Sequence, residues 1–144
     1  MIMKGSKDLL SSIIKTTQMG QIGIRSVLNA PLNTNLKETL RNQLKEYDTL
    51  EREALELASI RGWNLEQLDP AIKTMTNMTS RMRLSFGNSN SKAAAMMIQG
   101  NTRGLIKGYK NLNQMVSSDE RVAVLSQKLL DCEKANIRQM QGFL

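Results

Sequence analysis

Apolar residues recur at three- and four-residue intervals in four long stretches of this chain, and each apolar face is interrupted near its middle by polar or small residues. The first stretch predicts a helix from about Lys7 to Leu28, capped by Ser6, with Asp8 complementing the helix dipole. Its rows read Leu10, Thr17, Ile24; Ile13, Gly20, Val27; and Ile14, Gln21, Leu28, apolar at both ends and not between them. Pro31 and Asn33 mark the turn that follows.

The second helix is expected from about Leu36 to Arg61, with Asn35 and Glu38 spaced as a capping box and Gly62 as the stop. Leu36, Leu40, Leu44, Tyr47, Leu50, Ala54, Leu57 and Ala58 form its buried face. Glu51 falls on that face, in the row between Leu44 and Ala58, while its other acids point elsewhere. A shorter helix follows, capped by Asp69 with Pro70 in its first turn and ended by Gly87.

An Asn- and Ser-rich loop at 88–91 leads to a helix from about Lys92 to Met115, whose rows carry Asn101 and Gly104 at mid-length. The last helix is expected from Asp119 to about Gln141, capped by Ser118 and burying Val122, Leu125, Leu129, Cys132, Asn136 and Met140. The pattern predicts an all-α, up-down bundle of four long helices plus a shorter crossover helix, in a single domain over residues 1–144.

Composition narrows the chemistry. Aromatic residues make up 3% of the chain, so the core falls to aliphatic and methionine side chains, as suits helices. The N-terminus lacks a signal-type apolar region and no 18-residue apolar run occurs, which reads as a cytoplasmic protein without a membrane span. Cys132 is alone and lies on an apolar row, as a buried, inert thiol would. Histidine is absent, which excludes the usual zinc sites. Met75, Met78 and Met82, with Met96 and Met97, read as gap fillers or an adaptable contact surface rather than copper ligands.

The net charge is +7, and residues 70–118 hold seven basic residues and no acid. Those cations are dispersed, and only Phe86 and Tyr109 accompany them as stacking groups, so a solvated basic face is the first reading and DNA binding an alternative. Gly20 and Gly23 in the first helix, and Gly100, Gly104 and Gly108 in the fourth, each cost about 1 kcal/mol relative to alanine. Close approach of these two helices along a stripe of Gly20, Gly100, Gly104 and Gly108 is the expected compensation.

Two helix hairpins joined by a crossover resemble the ferritin-like four-helix bundle, whose metal-binding members carry a mid-helix Glu on two helices and Glu-x-x-His on the other two. Gln21 and Asn101 stand at the lone-Glu positions. Glu51-Arg52-Glu53-Ala54 and Glu133-Lys134-Ala135-Asn136 stand where Glu-x-x-His is expected, with Ala and Asn replacing the imidazoles. The resemblance implies a member without the ligand set and therefore without a cofactor, Glu51 and Glu133 being the only remnant metal candidates. Gln21, Glu51, Asn101, Glu133 and Asn136 are then expected to form a buried, hydrogen-bonded polar layer. With no nucleophile beside a base and no phosphate-binding loop, the functional expectation is a non-catalytic protein acting through self-association or a protein partner. Some ferritin-like families without metal ligands are bacterial structural or coat proteins; a degenerate metal-storage protein and a basic DNA-binding bundle are the alternatives.

Overall fold

The computed structural model describes residues 5–65, 89–116 and 119–144. These form four α-helices and no strand: α1 (Ser6–Leu28), α2 (Thr34–Arg61), α3 (Ser89–Asn113) and α4 (Glu120–Gln141). The shorter helix expected between Asp69 and Gly87, with its methionines, lies outside the described residues.

Contacts at the helix ends set the direction of each helix. The Ser6 hydroxyl accepts from the Asp119 backbone N–H at 3.3 Å, and Arg61 pairs with Asp119 at 2.9 Å, so the starts of α1 and α4 share one end with the finish of α2. At the opposite end, the Asn33 N–H donates to Asn90 Oδ1 at 2.9 Å, bringing together the starts of α2 and α3. Hence α1 and α4 run one way and α2 and α3 the other, and residues 62–88 connect opposite ends of the bundle. The hairpins α1/α2 and α3/α4 pack most extensively, α2 and α3 flank the other pair diagonally, and α1 also touches α4.

The rows read from the sequence are the rows that are buried. Leu10, Ile14 and Val27 of α1, Leu36 and Leu40 of α2 and Val122 of α4 are fully enclosed. Each such aliphatic side chain contributes about 1.5–3 kcal/mol when removed from water. Helix α3 differs: its only buried residues are Ala93, Ala94, Asn101 and Asn111.

The caps sit slightly away from their expected places. Ser6 is the first residue of α1 rather than its cap, and Gly5 precedes it without a side-chain hydrogen bond. Asn33, not Asn35, caps α2 by accepting from the Leu36 N–H at 2.8 Å. Asp119, not Ser118, caps α4 by accepting from the Arg121 and Val122 N–H groups. Gly62 ends α2 as expected, with φ 70°. Its N–H bonds Ser59 O and the Trp63 N–H bonds Ala58 O, the paired closure that a left-handed glycine allows.

The glycines do not build one α1–α3 seam. Gly23 meets only the tip of Met97 on α3, at ordinary contact distance. Gly20 instead faces Tyr47 on α2, Gly104 and Gly108 face Glu133 and Leu130 on α4, and a Cβ on Gly100 would meet nothing within 4 Å. The stripe on α3 is therefore directed at α4 through Gly104 and Gly108 rather than at α1.

Candidate functional site

Half-way along the bundle, the Tyr47 hydroxyl of α2 stands 2.7 Å from Asn101 Oδ1 of α3 and 2.9 Å from Glu133 Oε1 of α4. All three residues are buried. Two glycines provide the space: a Cβ on Gly20 would come within 2.6 Å of the Tyr47 ring, and one on Gly104 within 3.1 Å of the Glu133 carboxyl. The cluster therefore draws on all four helices, with α1 contributing a missing side chain.

The five residues expected to converge divide into separate groups. Gln21 donates to Glu51 Oε1 at 3.0 Å and accepts from Arg25 at 3.4 Å, closing the α1–α2 seam. Glu51 is half-buried there rather than enclosed with the others. Asn101 and Glu133 are joined through Tyr47. Asn136, fully buried, donates weakly to Cys132 Sγ at 3.7 Å, and the Cys132 thiol donates to Glu46 Oε2 at 3.5 Å.

Glu51 and Glu133, the two candidate metal ligands, thus take different partners. Among the described residues, no three of the histidine, cysteine, aspartate and glutamate side chains gather closely enough to hold a metal ion. Tyr47, packed against Gly20, is what Glu133 meets at mid-bundle.

Electrostatics follow from enclosure. Burial pushes the Glu133 carboxyl up to about 8, partly offset by the bond from Tyr47. Burial, followed by the neighbouring Glu133 charge, raises the Tyr47 phenol well above its usual value and keeps it a neutral donor. Burial, then Glu46 and Glu133, pushes the Cys132 thiol up to about 12, so it is not poised as a nucleophile. Glu133 Oε2 and Asn136 Oδ1 are buried without a hydrogen-bond partner.

Tyr47 is the member that the pattern of the sequence does not reveal, because an aromatic residue on a core row reads as apolar. Its signal is indirect: a buried tyrosine hydroxyl needs a partner, and Gly20 is small on the facing helix. Two further polar contacts flank the layer, Asn111 to Ser12 at 2.7 Å between α3 and α1 and Gln43 to Gln139 at 2.8 Å between α2 and α4. Sliding a helix by one turn would break them together, so they hold the register that aliphatic packing alone specifies weakly.

No family model, curated protein or solved structure matches this chain.

Proposed function

We infer that this chain is a non-catalytic ferritin-like bundle that acts by associating with further copies of itself, or with a protein partner, in a structural or coat-type role. The observation that carries this reading is the thin burial of α3. Four of its 25 residues are enclosed, two alanines and two asparagines, while Ile106 is 51% and Tyr109 42% exposed. An amphipathic helix that leaves large apolar groups in water presents a surface suited to another protein.

Helix α3 contains no acid and exposes Arg103 and Lys110, and a basic face of this kind suits an acidic partner surface. The connection between opposite ends of the bundle supports the ferritin-like comparison, and the separate partners of Glu51 and Glu133 support a role without metal chemistry.

Light scattering on the purified chain tests this reading. A mass above 16.2 kDa that rises with protein concentration is expected. A monomer at every concentration that also retains no protein in pull-down experiments would overturn it. Stoichiometric iron or manganese after loading would favour the storage alternative, and steeply salt-dependent DNA binding the nucleic-acid one.

A further inference from the structure

Among the described residues, Glu133 has no cationic hydrogen-bond partner, and one of its two oxygens has no partner. The charged and titratable groups around it, among the described residues, are few. Helix α2 brings Tyr47, which contacts Oε1; α4 itself brings Cys132, whose thiol bonds Glu46 of α2; and α3 brings the neutral Asn101 and Gly104. An ionised carboxylate here would be enclosed with a single hydrogen bond and no counter-charge among the described residues, an arrangement that proteins avoid by protonation.

Proton counting at Tyr47 agrees. Its hydroxyl carries one hydrogen and faces two oxygens, Asn101 Oδ1 and Glu133 Oε1. With that hydrogen given to Asn101, the contact with Glu133 becomes a hydrogen bond only if the carboxyl supplies a proton of its own. A neutral Glu133 therefore satisfies both contacts with the Asn101 amide as it is placed.

We propose that Glu133 carries a structural proton, and that its release is a built-in switch that loosens α4 from α2 and α3 at the middle of the bundle. Ionisation leaves two oxygens, Glu133 Oε1 and Asn101 Oδ1, competing for one phenolic hydrogen. It also leaves a buried negative charge beside the electron-rich Cys132 sulfur. Both effects weaken the same seam, while the Gln21–Glu51 pair on the α1–α2 side is untouched.

On the surface over this seam lies a groove of about 500 Å³ whose lining includes Lys45, Glu46, Lys128, Asp131 and Cys132, with Glu133 beneath it. Beneath it, Asn136 donates to Cys132 and Cys132 to the exposed Glu46, a chain that ends one helical turn from Glu133. The inference is independent of the association proposed above, since it concerns a buried layer rather than a surface.

Two measurements on the full chain test it. In a ¹³C titration of the glutamate carboxyls by NMR, one resonance, absent from Glu133→Gln, is expected to titrate near pH 8, well above the others. Titration of every glutamate between pH 4 and 5 overturns the proposal. In native-state hydrogen exchange, wild-type amides in α4 from Leu129 to Asn136 should lose protection relative to Glu133→Gln as pH rises from 6 to 9, about tenfold or more. Equal protection at all pH values overturns the switch even if the carboxyl titrates high. If Glu133→Gln does not fold, the wild-type titration, with the resonance assigned through its bonds, still decides whether the proton is held.

Discussion

The ring of Tyr47 occupies the place where a side chain at position 20 would stand: a Cβ on Gly20 would lie 2.6 Å from two of its ring carbons. Tyr47 cannot swing aside, because it is buried and its hydroxyl is held by Asn101 and Glu133. Gly20→Ala should therefore destabilise the fold. Overpacking of a fixed core costs about 1–3 kcal/mol, which outweighs the gain of about 1 kcal/mol from helix propensity. Gly100, which faces open space, gives the opposite expectation. Gly100→Ala should stabilise by about 0.5–1 kcal/mol. Urea denaturation of both variants checks the pair.

Tyr47→Phe keeps the ring in place and removes the one hydroxyl shared by α3 and α4. Asn101 and Glu133 then lose a partner in a site closed to water, at a cost of about 1–3 kcal/mol. A melting temperature equal to that of the wild type would show that the layer is not held through this hydroxyl.

Stability should depend on pH with an unusual sign. Glu133 is raised in the folded protein from about 4.5 to about 8, so the folded state holds a proton that the unfolded state has released over that interval. Its contribution is complete below about pH 4.5, declines as pH rises through 8 and is constant above. The slope from this one group is about 1.4 kcal/mol per pH unit. Asp119 acts in the other direction: its bond from Arg61 lowers its titration below the usual 3.8, so its contribution is present at neutral pH and lost in acid. Unfolding free energies measured between pH 4.5 and 8 should fall for the wild type and stay flatter for Glu133→Gln.

Cys132 offers a chemical check on the closed seam. Its thiol is buried and pushed up to about 12, so disulfide exchange at pH 7 should be far slower in the native protein than in urea, where an ordinary thiol reacts freely. Equal rates would mean that the α2–α4 seam is open in the native state.

The helices were legible because their aliphatic rows keep a 3.6-residue period, as in Leu10, Ile14 and Leu36, Leu40. Their caps were less so. Asn33, Thr34 and Asn35 are all able to cap, as are Ser118 and Asp119, and only backbone geometry selects among them. Most of the mid-bundle polar residues were visible as breaks in apolar rows, yet their pairing was not. Gln21 and Glu51 meet because α1 and α2 form a hairpin, whereas Asn101 and Glu133 meet only through Tyr47, a tertiary contact without a local signature. The glycine stripe shows the same limit: spacing places residues on a face but does not say which helix that face meets.

Sedimentation velocity of the full chain and of Ile106→Glu, over a range of concentrations, tests most directly the claim that this bundle acts by association. The wild type is expected to exceed 16.2 kDa increasingly with concentration, and the variant to remain near that mass with an unchanged melting temperature. A wild-type chain that sediments as a monomer throughout, indistinguishable from the variant, and that retains no protein in pull-down experiments would contradict the account.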